Sequence, residues 1–173
     1  MVWDRKAIRR IGVRIRKPEI RLRSVDQKEL IRFEKVIAGK KRPQRNVLLL
    51  IGENLEAKHA KMAEMGKSAG RTVYRVDLSK LFSEYIGETE KNLASLWAKA
   101  EQRGWILFFD EADALFGKRS AVKDAHDRYA NEDVSHLLRR LNQPSVSAVF
   151  SASSEKILKR SVLKHFSSVV RIA

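Results

Sequence analysis

Ile106-Leu107-Phe108-Phe109-Asp110-Glu111-Ala112-Asp113 is an apolar run that ends in three carboxylates. A strand of this composition is buried on both faces, and carboxylates at its end are costly unless they handle a metal, a water or a cation. Upstream, Val47-Leu48-Leu49-Leu50-Ile51 is a second apolar strand, followed by Gly52-Glu53-Asn54-Leu55-Glu56-Ala57-Lys58-His59. A glycine-rich phosphate loop would belong at that place. One half of a nucleotide-hydrolysing site is legible and the other is damaged.

Working outward, the pattern from residue 46 onward is regular. Strands are expected at 47–51, 72–76, 105–109, 146–151 and 168–172, and helices at 57–68, 89–103 and 128–142. Leu93, Leu96, Trp97 and Ala100 share a face of the second helix; Val134, Leu137, Leu138 and Leu141 share one in the third. Thr89 reads as a helix cap, and Gly70 and Gly104 as helix stops. Apolar strands separated by helices predict an α/β fold whose mostly parallel sheet is covered on both sides.

The chain has 173 residues, 43% of them apolar, which is enough for one ordinary core. No run approaches 18 apolar residues and the N-terminus is highly charged, so a cytoplasmic protein without a membrane span is expected. Cysteine is absent, and His59, His126, His136 and His165 have no compact metal-binding spacing, so no zinc site is expected.

The formal net charge is +15, of which residues 1–45 contribute +11. In that segment Ile11, Val13 and Ile15 alternate with Gly12, Arg14 and Arg16, and Ile20 and Leu22 alternate with Arg21 and Arg23. The period of two describes a short β-ribbon with an arginine face, turning at Lys17-Pro18-Glu19; an irregular arm is the alternative. Leu30, Phe33 and Ile37 fall on one side of a short helix over 26–37. A cationic extension attracts polyanions, so non-specific nucleic acid is a candidate partner for residues 1–45.

In a phosphate loop, glycines aim consecutive amides at the phosphates, a lysine reaches the terminal phosphates and a Ser/Thr hydroxyl binds magnesium. Here Gly52 and Lys58 stand at suitable places, but Leu55 and Ala57 bring β-carbons, Glu53 and Glu56 bring negative charge, and His59 replaces the hydroxyl. Lys58 therefore reads as an ordinary surface lysine on a helix. In a working site, Asp110 would hold magnesium through water and Glu111 would orient the attacking water. The alternative is that both carboxylates serve structure, with Asp110 capping a turn.

Four segments resemble the AAA ATPase domain, especially bacterial members of the sporulation-protein-like group. They are Tyr74-Arg-Val-Asp-Leu-Ser79, Tyr85-Ile-Gly-Glu-Thr-Glu-Lys-Asn92, Leu107-Phe-Phe-Asp-Glu-Ala-Asp-Ala-Leu-Phe-Gly-Lys-Arg119 and Asp124-Ala-His-Asp-Arg-Tyr-Ala-Asn131. The resemblance implies a three-layer P-loop-type fold with a parallel five-stranded sheet in the order 5-1-4-3-2. It puts Asp110 and Glu111 in the Walker B motif and Lys58 on the phosphate-binding lysine. Tyr85, Ile86 and Gly87 match the pore loop that grips polypeptide in hexameric members.

The departures are as telling. Beyond the degenerate Walker A loop, the polar sensor is Ser153 in place of Asn, and the trans-acting arginine region reads Val162-Leu-Lys164-His165-Phe-Ser167. Lysine lacks the planar fork that clamps phosphoryl oxygens. The family's helical lid is expected to be lacking. The expected organisation is a basic extension over 1–45 and an AAA-like domain over 46–173. The expected function is that of a catalytically inactive pseudoenzyme, acting by interaction or regulation on a protein partner or related AAA subunits, with no cofactor. Two alternatives stand beside it: an ATPase with an atypical loop, using ATP and magnesium, and a basic nucleic-acid-binding protein.

Overall fold

A computed structural model describes residues 24–39, 46–82, 87–116, 134–143, 145–158 and 160–172. The expected arginine ribbon (Arg14, Arg16, Arg21, Arg23), the pore-loop residues Tyr85 and Ile86, and the motif at 124–131 lie outside the described residues. The order along the chain is α1 (Ser24–Ala38), β1 (Val47–Ile51), α2 (Leu55–Ala69), β2 (Val73–Arg75), α3 (Leu78–Leu81), α4 (Glu88–Arg103), β3 (Ile106–Phe109) and α5 (Asp113–Phe116). There follow a helix, α6, described over 134–141, then β4 (Ser147–Ala152), a 3-10 turn at Glu155–Ile157, α7 (Arg160–Leu163) and β5 (Ser168–Arg171).

The five strands are parallel, in the order β2-β3-β4-β1-β5, as expected. Side chains alternate along each strand, so one strand feeds two cores. Leu48 and Leu50 face α1 and α2, packing with Leu30, Phe33, Ile37, Met62 and Met65. Val47, Leu49 and Ile51 face the other way, toward Leu93, Trp97, Phe116, Leu137 and Leu141 of α4, α5 and α6. Phe109 and Phe150, neighbours in register on β3 and β4, stack with centroids 4.4 Å apart.

The helix expected over 26–37 forms, and its predicted face is buried: Leu30, Phe33 and Ile37 are all under 5% exposed. Asp26 on α1 accepts a hydrogen bond from the Arg171 amide of β5 at 2.9 Å, and Ser168 Oγ donates to Glu29 at 3.1 Å. Arg71, just before β2, ties several elements together. Its guanidinium donates to the carbonyls of Gly104, Trp105 and Ile37 and to Ser147 Oγ, at 2.6, 2.8, 3.4 and 3.0 Å.

Gly70 and Gly104 end their helices with φ of 63° and 65°, the left-handed conformation that carries a Schellman-type cap. Thr89 does not cap α4. Gly87, at φ 78°, is the cap residue, and Thr89 is buried inside the first turn. The leucine pattern located the helix face correctly, but the turn before it needed a left-handed residue that only glycine adopts cheaply.

Candidate nucleotide site

The carboxyl ends of β1, β3 and β4 bring the sequence-predicted residues together. Gly52 follows β1, and its amide donates to the Ala152 carbonyl at 3.0 Å. A β-carbon on Gly52 would lie 2.2 Å from the Ile172 carbonyl oxygen, so this glycine admits the end of β5 to the sheet. Its absent side chain serves strand packing.

After Gly52 only Glu53 and Asn54 separate β1 from α2, which begins at Leu55. Asn54 is the N-cap, and its side-chain oxygen accepts from the Ala57 amide at 2.9 Å. The Lys58 amide donates to the Asn54 carbonyl at 3.2 Å. Of the amides at this helix start, that of Ala57 is taken by the Asn54 side chain and that of Lys58 by the first intrahelical bond. Ala57 is fully buried, while Glu53 and Glu56 are exposed beside the helix start.

Lys58 is not a surface lysine, contrary to the reading of the sequence. It is 5% exposed, and its ammonium points at the Ala152 carbonyl, 3.5 Å away. A lysine stem is long and apolar enough to be covered by packing, which periodicity alone does not reveal.

Asp110 is buried at the end of β3 and is the best-connected group of the site. His59 Nε2 lies 2.6 Å from Oδ2, and the Arg75 guanidinium 3.1 Å from the same oxygen. Ser151 Oγ donates to Oδ1 at 2.5 Å, and the Glu111 amide donates to Oδ1 at 3.1 Å. An ionised carboxylate offers about four lone-pair sites. All four are filled by protein. Burial raises the Asp110 pKa, but hydrogen bonds from His59 and Ser151 and the charges of His59 and Arg75 outweigh it, leaving the carboxyl at about 2.

The three carboxylates of the strand end do not converge. Glu111 is exposed and has φ 54°, a left-handed conformation rare outside glycine, supported by its amide contacts to Asp110 and to Ser151 Oγ at 3.2 Å. Asp113 turns toward β4 and accepts from the Ser153 amide at 2.7 Å. Ser153, expected as a sensor, is thus engaged through its backbone. Among the described residues no group of three or more His, Asp or Glu side chains is arranged to hold a metal ion. In the region expected to supply a trans-acting arginine, Phe166 is buried against Phe150 and Ser167 Oγ donates to the Val47 carbonyl at 2.8 Å.

The residues present do not fit a magnesium nucleotide. A metal-bound water needs a free acceptor on Asp110, and none is left; at the phosphate side the Asn54 cap holds the Ala57 amide, and Glu53 and Glu56 bring negative charge. Two of the groups responsible, Arg75 and Ser151, were missed in the sequence. A serine closing the apolar run Ala148-Val-Phe150, level with the carboxylates that follow β3, was the available signal for Ser151. Nothing local marked Arg75, which reaches Asp110 only because β2 lies beside β3.

The ATPase family associated with various cellular activities (AAA) matches residues 48–172, and the chain belongs to that family. It is 30% identical over 112 residues to human vacuolar protein sorting-associated protein 4A, an alignment covering 64% of this chain and 23% of that protein. The chain therefore spans about a quarter of the length of that curated relative. The FIGL-1 AAA domain in complex with ADP superimposes with a TM-score of 0.61 at 21% identity, covering 87% of this chain and 52% of the other. A chain of the E. coli MS115-1 HORMA:CdnC:Trip13 complex gives a TM-score of 0.60 at 15% identity, covering 87% and 62%.

Proposed function

We propose that this chain is an AAA domain whose nucleotide site is closed by its own side chains, and that it acts through binding a protein partner or related AAA subunits. The observation that carries this reading is the saturation of Asp110 by His59, Arg75, Ser151 and the Glu111 amide. Hydrolysis in this family depends on a carboxylate free to position a metal and its water. The Asn54 cap on the Ala57 amide and the exposed Glu53 and Glu56 support the same conclusion from the phosphate side. The fold neighbour solved within a HORMA:CdnC:Trip13 complex gives the domain class a precedent for assembly with other proteins. Tyr85, Ile86 and Gly87 remain candidate contacts to polypeptide, and the basic residues Arg14, Arg16, Arg21 and Arg23 candidate contacts to an acidic surface.

The test is isothermal titration of the full chain with ATP and magnesium, repeated on Lys58→Ala. No saturable heat at millimolar nucleotide is expected in either protein. Saturable binding abolished by Lys58→Ala, together with hydrolysis abolished by Glu111→Gln, would overturn the proposal and establish an ATPase with an atypical loop.

A further inference from the structure

A cavity of about 1110 Å3 opens between β2 and α4, reaching Asp110 and Glu111 at one end. One wall is a single face of α4, on which Asn92, Leu96, Lys99 and Arg103 recur at helical spacing. At the end away from the carboxylates, Tyr74 stacks on Trp105 with centroids 4.6 Å apart and planes 2° from parallel. The Arg103 guanidinium lies over the same indole at 5.2 Å.

The charges lining this groove are unequal in their commitments. Arg75 is held by Asp110, and Lys80 pairs with Asp77 at 3.3 Å. Lys99 and Arg103 are exposed and meet no carboxylate among the described residues. Beside them, Leu96, Tyr74 and Trp105 are only partly buried and give an apolar floor. The indole face is already engaged by a tyrosine ring and a guanidinium, which leaves poor access for a stacking nucleobase, whereas an aliphatic side chain needs only Leu96 and the uncovered edges of the two rings. Two exposed cations that meet no carboxylate among the described residues, beside an apolar floor, suit carboxylates flanking an apolar side chain.

We infer that this groove docks an acidic peptide segment of a partner protein, its apolar side chain seated on Leu96 and the Tyr74–Trp105 pair, its carboxylates on Lys99 and Arg103. Leu96, Lys99, Arg103 and the Tyr74–Trp105 pair stand at the end of the cavity away from Asp110 and Glu111, so the inference does not depend on whether nucleotide binds.

The experiment is fluorescence anisotropy on the full chain with a labelled peptide of alternating Glu and Leu, its Lys/Leu counterpart, and a labelled oligothymidylate. Saturable binding of the acidic peptide alone is expected. Lys99→Glu with Arg103→Glu should weaken it about tenfold or more, and Lys99→Glu alone, which touches no ring contact, should weaken it in the same direction. Lys67→Glu with Lys156→Glu imposes the same change of net charge at exposed positions away from the groove and should leave affinity unchanged. Equal losses in the two double variants, absence of saturable binding, or preferential binding of the oligonucleotide at Lys99 and Arg103 would each overturn the inference.

Discussion

His59 Nε2 sits 2.6 Å from Asp110 Oδ2, a direct bond between the residue that the AAA resemblance sets at the hydroxyl position of the phosphate loop and the carboxylate that it sets in the Walker B motif. In a site built for magnesium these two positions face each other across the ion. Here the imidazole closes the distance, and its ring packs edge-on against Phe108 at 5.8 Å between centroids.

His59→Ala should destabilise the fold by about 1–3 kcal/mol, because it leaves Asp110, a buried carboxylate, short of a donor. Chemical denaturation compares it with wild type. If the variant is as stable as wild type, the His59–Asp110 bond is not a structural element. Addition of magnesium to His59→Ala should not restore stability, since Arg75, Ser151 and the Glu111 amide still hold the carboxylate.

Asp110 gives the protein a defined acid sensitivity. Its carboxyl titrates at about 2 when folded, below the ordinary value of 3.8. A depressed folded pKa contributes stability that is present above the unfolded value and lost as pH falls toward the folded one. The window is therefore pH 4 down to 2, and the contribution is about 2 kcal/mol. Stability curves of wild type and Asp110→Asn, which removes the charge, should lie apart near neutral pH and approach each other through that window. A constant separation would contradict the assignment.

Two glycines separate steric from conformational need. Gly52→Ala places a methyl 2.2 Å from the Ile172 carbonyl and should cost about 2–4 kcal/mol by forcing β5 away from β1. Gly104→Ala meets nothing within 4 Å and pays only for its φ of 65°, about 1–2 kcal/mol. Melting temperatures of the two variants should fall in that order.

Arg71→Lys should lose nearly as much stability as Arg71→Ala, about 2–4 kcal/mol, because one ammonium cannot reach four acceptors set for a planar fork. Amide exchange should quicken at Trp105 and Ile106, whose surroundings Arg71 pins. Full retention of stability in the lysine variant would show that charge alone suffices.

The strands were legible because five apolar runs stand between helical patterns, and each came within a residue or so of its observed bounds. Their order was not: periodicity places no strand beside another, and the order came from the likeness of whole motifs to the AAA domain. The site was half legible for the same reason. Asp110, Glu111 and the spoiled loop stand in the linear sequence, whereas the saturation of Asp110 arises from three separate segments. Register puts Phe109 beside Phe150, and hence Asp110 beside Ser151; strand order brings Arg75 across; helix phase turns His59 inward. His59 was read as a missing ligand, although in three dimensions it is a bond gained.

The hydrogen bond from the Arg171 amide to Asp26 has a bearing on aggregation. Arg171 lies on the border strand of the sheet, and its amide points away from β1, toward the side where an incoming strand would pair. A carboxylate from α1 holds that donor, and the Glu29 contact to Ser168 lays the helix along the same border. Such a guard discourages strand-to-strand polymerisation of a sheet otherwise rich in aliphatic side chains. Copies of this protein can then crowd together, or meet a larger assembly, without being stitched into a shared ribbon at β5.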